Sequence, residues 1–296
     1  MIYDVRRSIV CLALGLVLAV AGCGSSGDNG TGGTGGSAGT GGTGGSDVPL
    51  RILVTNDDGF AAEGINAIVE ALIANPSNEI VVCAPDGNRS GSSDMTGPSA
   101  TCGNLEVRTD TTASGYPATA IDGCPADAVN YALDNLYPAN EPPDVVLSGI
   151  NDGQNVGNVT INGQPGFLSQ ISGTIGAAKT AARRGVPALA SSQGDGDPVD
   201  FPAGVAEVLL WLSEHRDALA EGSVSTTSID SLNIPSCDRG SIRNPLEPLE
   251  VPLATENPND FTLSGLQDCE AVGIDPDTDV NAFFTGWVTL SEVPAN

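Results

Sequence analysis

The feature that most constrains this chain is an alternation of continuous apolar runs with amphipathic segments. Residues 52–55, 79–84, 144–148 and 186–191 each make a short run with no polar face. Between them Ile65, Ile68, Val69, Leu72 and Ile73 recur at helical spacing. Val129, Ala132, Leu133 and Leu136 do the same, as do Val205, Val208, Leu209 and Leu212, and a small-residue helix is expected over 173–184. Strands that are apolar on both faces must be covered on both faces, so the pattern predicts an α/β fold, a Rossmann-like parallel sheet sandwiched by helices. After about Leu219 the alternation fades, and 231–235 and 283–293 read as strands among Pro- and Asp-rich loops. The expected body is one domain over 47–296, with a core of about 50–219 and an extended β-rich appendage over about 220–296.

Ligands of open parallel sheets bind beyond the carboxyl ends of the strands. Three polar, glycine-bearing loops stand there: Asn56-Asp57-Asp58-Gly59, residues 85–93 with Asn88 and Ser90, and residues 148–155 with Asn151 and Asn155. No G-x-G-x-x-G fingerprint follows the first strand and no P-loop lysine motif occurs. A Ser-His-Asp triad would need a histidine, and the single one, His215, falls at a helix end far along the chain. Asp-x-Asp chemistry through an aspartyl phosphate is disfavoured, because Gly59 stands two residues beyond Asp57. What remains is a set of oxygen ligands, which suits hard ions such as Mg²⁺ or Mn²⁺. A dication would also turn the repulsion between Asp57 and Asp58 into shared coordination. Taken alone, Asn56 to Gly59 reads equally well as a capped turn. The formal charge of −26 excludes a basic nucleic-acid groove.

Five motifs in order, RILVTNDDG with GI (51–65), VVCAPDGNRSGSS (81–93), DGCPADAVNYAL (122–133), PDVVLSGINDGQNVG (143–157) and ISGTIGAAKTAARRGVPALASS (171–192), resemble the SurE family of survival proteins, which are 5′/3′-nucleotidases. The resemblance is weaker in the tail. It implies a metal-dependent phosphomonoesterase that hydrolyses nucleoside 5′(3′)-monophosphates. It implies one Mn²⁺ or Mg²⁺ per subunit, with Asp57, Asp58, Ser90 and Asn151 as metal ligands and Asp57 and Asp58 as catalytic residues, one of the pair or a group behind it accepting the proton of the attacking water. Asn88, Asn155, Ser172, Gly173 and Thr174 are implied around substrate phosphate, the last three at a helix start where free N–H groups favour an anion. A homodimer or higher homo-oligomer is the family's habit. The chain departs from the family at Ala61 and Glu63, where members carry histidine and proline, and in a longer loop over 158–171 ending in Ile171. These changes border the site, so a non-catalytic metal- or nucleotide-binding surface protein on the same fold is the alternative.

The first 46 residues have a different character. Arg6 and Arg7 precede an apolar run, Ile9 to Ala21, which ends in small residues and Cys23. This is the layout of a secretory signal over 1–22, and Val20 to Cys23 resembles a bacterial lipobox; an ordinary signal peptide is the other reading. Residues 24–46 are Gly/Ser/Thr-rich, a tether with a typical span of about 26 Å. The expected location is therefore an exported lipoprotein, held on the cell or outer membrane through lipid on Cys23 and facing the periplasm or exterior. Export permits disulfides. Cys102 with Cys124 and Cys237 with Cys269 are reasonable pairs, although connectivity is open, and Cys83 sits in an apolar strand.

Overall fold

Leu50 to Thr55 form β1 because Ile52, Leu53 and Val54 have apolar neighbours on both faces and none is exposed. In this computed structural model, residues 48–296 are described. The signal segment, Cys23 and the Gly/Ser/Thr tract lie outside the described residues. Along the chain β1 is followed by α1 (Glu63–Ile73), β2 (Asn78–Pro85), β3 (Val107–Thr111), β4 (Pro117–Ile121), α2 (Pro125–Asn135) and β5 (Val145–Asp152). Then come β6 (Asn158–Ile161), β7 (Gln164–Phe167), α3 (Leu168–Ile171), α4 (Gly173–Arg183), β8 (Ala188–Gln193) and α5 (Phe201–Ala220). The tail supplies β9 (Ser228–Ile234), β10 (Leu249–Glu250), α6 (Asp279–Phe284) and β11 (Thr289–Pro294).

Nine of these strands make one sheet in the order β10-β11-β9-β8-β5-β1-β2-β4-β3. It is parallel from β9 through β4, and β3 and β11 pair antiparallel to β4 and β9. Ile52 and Val54 face one core with α1 and α5, while Leu53 faces the other with α2 and α4. This α/β sandwich is what the alternation predicts. β1 lies in the middle, hydrogen-bonded to β2 and β5 along its length, so its carboxyl end is held from both sides.

Three stretches differ from the expectation. β3 and β4 form an antiparallel edge that has no apolar run to announce it; β3 is nearly all exposed. The long 158–171 loop is ordered: it folds as the β6–β7 hairpin followed by α3. Phe283 and Phe284 belong to α6 rather than to the last strand, and their rings meet edge to face at 5.2 Å. The hairpin packs on the tail through Asn158 N–H to Ala254 O (2.9 Å) and Thr160 N–H to Phe261 O (2.8 Å). Beside it Asp279, fully buried, accepts from the backbone N–H groups of Gly157, Ala254 and Val280. Burial pushes its carboxyl up to about 6.

Both proposed cysteine pairs are bonded, Cys102 to Cys124 and Cys237 to Cys269. Cys83 is a buried free thiol, pushed by burial up to about 12, and it donates to Ala128 O.

Candidate functional site

β1 ends in a turn closed by Asn56, whose side chain donates to Gly59 O and accepts from Gly59 N–H, each at 3.1 Å. Gly59 is required there: its φ is +110°, and a Cβ would lie 2.9 Å from Gly87 Cα, so the loops after β1 and β2 touch at two glycines. That contact carries the β2 loop across Asp57, with Arg89 N–H donating to Asp57 O at 2.6 Å. The Asn88 amide donates to Asp58 Oδ1 at 3.1 Å, and its own oxygen accepts from Ser90 N–H at 2.9 Å. From β5, Asp152 N–H donates to Asp58 Oδ2 at 3.0 Å. The three loops that converge in sequence terms therefore converge in space.

The two carboxylates differ. Asp57 is 2 % exposed and faces the first turn of α4, where the Thr174 hydroxyl donates to its Oδ1 at 2.6 Å. Burial raises the Asp57 pKa; the Thr174 hydroxyl and the N–H groups of Gly173 and Thr174 act against that rise. Asp58 is half-buried, and its carboxyl is pushed up to about 7, first by burial and then by the charges of Asp57 and Asp152, against the lowering effect of the Asp152 N–H. Both charges that act on Asp58 are negative, so the pair gains most from a cation.

Asn151 is buried and its amide nitrogen donates to Gly153 O, so what it can offer a cation is Oδ1. Ser90 is exposed beside Asn88. Two carboxylates, a hydroxyl and an amide oxygen are an all-oxygen set of the kind hard dications take. Asn155 is 6 % exposed; its amide donates to Ser192 Oγ at 2.9 Å and its N–H to Asn233 Oδ1 at 2.7 Å, which leaves one amide hydrogen and Oδ1 for a ligand. Ser172 caps α4, accepting from Ile175 N–H at 3.2 Å. Arg89 is paired with Asp122 at 2.6 Å, the structural role rather than the substrate one. Among the described residues one group of three metal-type ligands lies close together, Cys102, Cys124 and Asp127. Both sulfurs are in the disulfide, and Asp127 accepts from Cys124 N–H at the start of α2.

Sequence reasoning missed how the β2 loop is seated on α4. A Cβ on Gly173 would lie 2.8 Å from both Asp57 Cβ and Ser92 Oγ, and one on Gly176 would lie 2.0 Å from Ser93 O. The two glycines, three residues apart, make the flat face on which 92–94 rest, and Ser93 N–H donates to Ile171 O at 3.0 Å. Glycine spacing in Ser172 to Gly176 was the available signal.

The chain matches the model of the family described as survival protein SurE over residues 52–248. It is 34 % identical over 197 residues to the 5′-nucleotidase SurE of Pelobacter propionicus, covering 67 % of this chain and 70 % of that protein. It is 31 % identical over 257 residues to the 5′-nucleotidase SurE of Polaromonas naphthalenivorans, covering 82 % of this chain and 90 % of that one. The crystal structure of the SurE protein from Aquifex aeolicus superposes with a TM-score of 0.59 at 22 % identity, over 83 % of this chain and 94 % of the other, a likeness of fold. With its family model matched from β1 through β9 and up to the residue before β10, this chain belongs to the SurE family.

Proposed function

We propose that this chain is a divalent-metal-dependent phosphomonoesterase that releases phosphate from nucleoside monophosphates. One observation carries the reading: β1 delivers a buried Asp57 and a half-buried Asp58 to the sheet edge in a field of negative charge. The relatives named 5′-nucleotidase support the substrate class. Asp57, Asp58, Ser90 and Asn151 would hold Mn²⁺ or Mg²⁺, and a dication there supplies positive charge to the phosphoryl oxygens. The chain's own groups do the rest. Asn88, already tied to Asp58, and the free amide hydrogen of Asn155 orient substrate phosphate at the loop tips. Ser172 caps the first turn of α4 behind Asp57, where the N–H groups of Gly173 and Thr174 and the Thr174 hydroxyl oppose the cost of burying its charge. Asp58, the more accessible acid, takes the proton of the attacking water.

The test is a panel of nucleoside 5′- and 3′-monophosphates with Mn²⁺, with Mg²⁺ and with EDTA. Hydrolysis is expected with either ion and none with EDTA, and Asp57→Asn and Asp58→Asn are expected to remove it. Full activity in either variant refutes the metal assignment, and mononucleotide binding without turnover at any ion supports the non-catalytic alternative. We also propose export, with lipid on Cys23 and an acyl anchor as the membrane attachment; the signal-like segment and the two disulfides support this. Labelling with radioactive palmitate should vanish in Cys23→Ala. A homo-oligomer is proposed on the family's habit, and light scattering decides it.

A further inference from the structure

The Ser92 side chain has no exposure, and its hydroxyl has no hydrogen-bond partner. A buried orphan of this kind is uncommon and calls for a cause. Its surroundings supply one. Ser92 Oγ and Asp57 Oδ2 both border the gap over Gly173, at 2.8 and 2.9 Å from the point where a Cβ of that glycine would be. Asp57 Oδ1 accepts from the Thr174 hydroxyl, and Oδ2 is the carboxylate oxygen that borders the same gap as Ser92 Oγ. The hydroxyl is also placed rather than loose, since the loop carrying it rests on Gly176 and is tied to Ile171 O through Ser93 N–H.

Resting on the metal reading above, we infer that Ser92 is a positioning residue for Asp57: its hydroxyl is kept without another partner so that it can donate to Oδ2 when Asp57 holds a dication. Thr174 and Ser92 then grip the carboxylate from two sides and fix which lone pairs face the ion. Groups that orient a ligating side chain in this way change metal affinity by about 10- to 100-fold when removed. A hydroxyl that is merely stranded behaves differently, because removing a buried unpartnered polar group is neutral or stabilising and leaves the ion indifferent.

The experiment measures Mn²⁺ binding to the full-length protein by electron paramagnetic resonance of the free ion, and thermal melting in EDTA. Ser92→Ala is expected to bind Mn²⁺ at least about tenfold more weakly than wild type, while its melting temperature in EDTA holds or rises. Ser92→Cys, which keeps a weak donor at similar size, should fall between the two and serves as the reading if the alanine variant fails to fold. Thr289→Val, which removes another buried orphan hydroxyl, in β11, should leave Mn²⁺ affinity unchanged. Wild-type affinity in a folded Ser92→Ala overturns the inference alone. A wild-type protein that binds no Mn²⁺ overturns the metal reading and this inference with it.

Discussion

The two ends of the sheet make an instructive pair. At the carboxyl end of β1, β2 and β5 there are a buried and a half-buried carboxylate, a glycine-floored helix start and an orphan hydroxyl. At the opposite end a cleft of about 740 Å³ opens beside α5, β9 and β11, lined by Trp211, Glu214, His215, Asp230 and Glu292 among others. It contains the chain's single histidine and four acidic groups, a list that looks catalytic. Yet several of its polar groups are paired locally: Trp211 Nε1–H donates to Asp230, Ser228 donates to Glu292, and His215 stacks on Trp211 at 4.4 Å with Nδ1 against Trp211 O. The proposed chemistry is marked by groups left electrostatically unresolved in the fold.

The contrast can be broken most sharply at Gly173. In Gly173→Ala the new methyl meets backbone-anchored atoms of Asp57, so the carboxylate or the helix must shift. A misplacement approaching 1 Å costs about 100-fold in rate, and that loss is expected in phosphate release at saturating Mn²⁺. Thr174→Val keeps the shape but removes the donor to Asp57 Oδ1, and Mn²⁺ affinity should fall about tenfold. Titration calorimetry checks it.

The acidity of Asp58 gives a pH signature. Its folded pKa, about 7, lies above the unfolded value of about 3.8, so the folded state binds the proton more tightly. The metal-free protein pays nothing for this group below about pH 4, loses stability as pH rises from there to 7, and loses no more above it. Asp58→Asn cannot ionise. In EDTA the melting temperature of Asp58→Asn minus that of wild type should therefore climb between pH 4 and 7 and then level off, and Mn²⁺ should raise wild type alone. A flat difference would show that Asp58 is already stabilised as an anion without metal. The smallest effect belongs to the far cleft: His215→Ala should cost about 1 kcal/mol of stability through the lost ring stack, with hydrolysis within about twofold of wild type.

Much of this was legible in sequence, for identifiable reasons. β1, β2, β5 and β8 are apolar runs, and α1, α2 and α5 carry apolar faces, so burial alone announces them. β3 escaped notice because an exposed edge strand needs no apolar face. The 158–171 hairpin escaped because its short strands are held by the tail, a contact almost one hundred residues away. Within the site, the rule that polar loops gather at the carboxyl ends of parallel strands points to the loops carrying Asp57, Asp58, Asn88 and Asn151, and the family resemblance picks out those residues. Thr174, 117 residues beyond Asp57, could be placed near phosphate by resemblance, but its bond to that carboxylate is a product of helix packing. Ser92 gave no signal: one serine among several in a glycine-serine run is distinguished only by burial.

Asp279 has a consequence for the order in which this molecule comes into being. Its carboxylate ties Gly157, two residues past Asn155, to a segment 122 residues further along the chain. Synthesis proceeds from the amino end, so every loop that would touch the ion is made long before the residue that locks the neighbouring turn. A half-made chain thus carries all four proposed ligands on an unfinished frame.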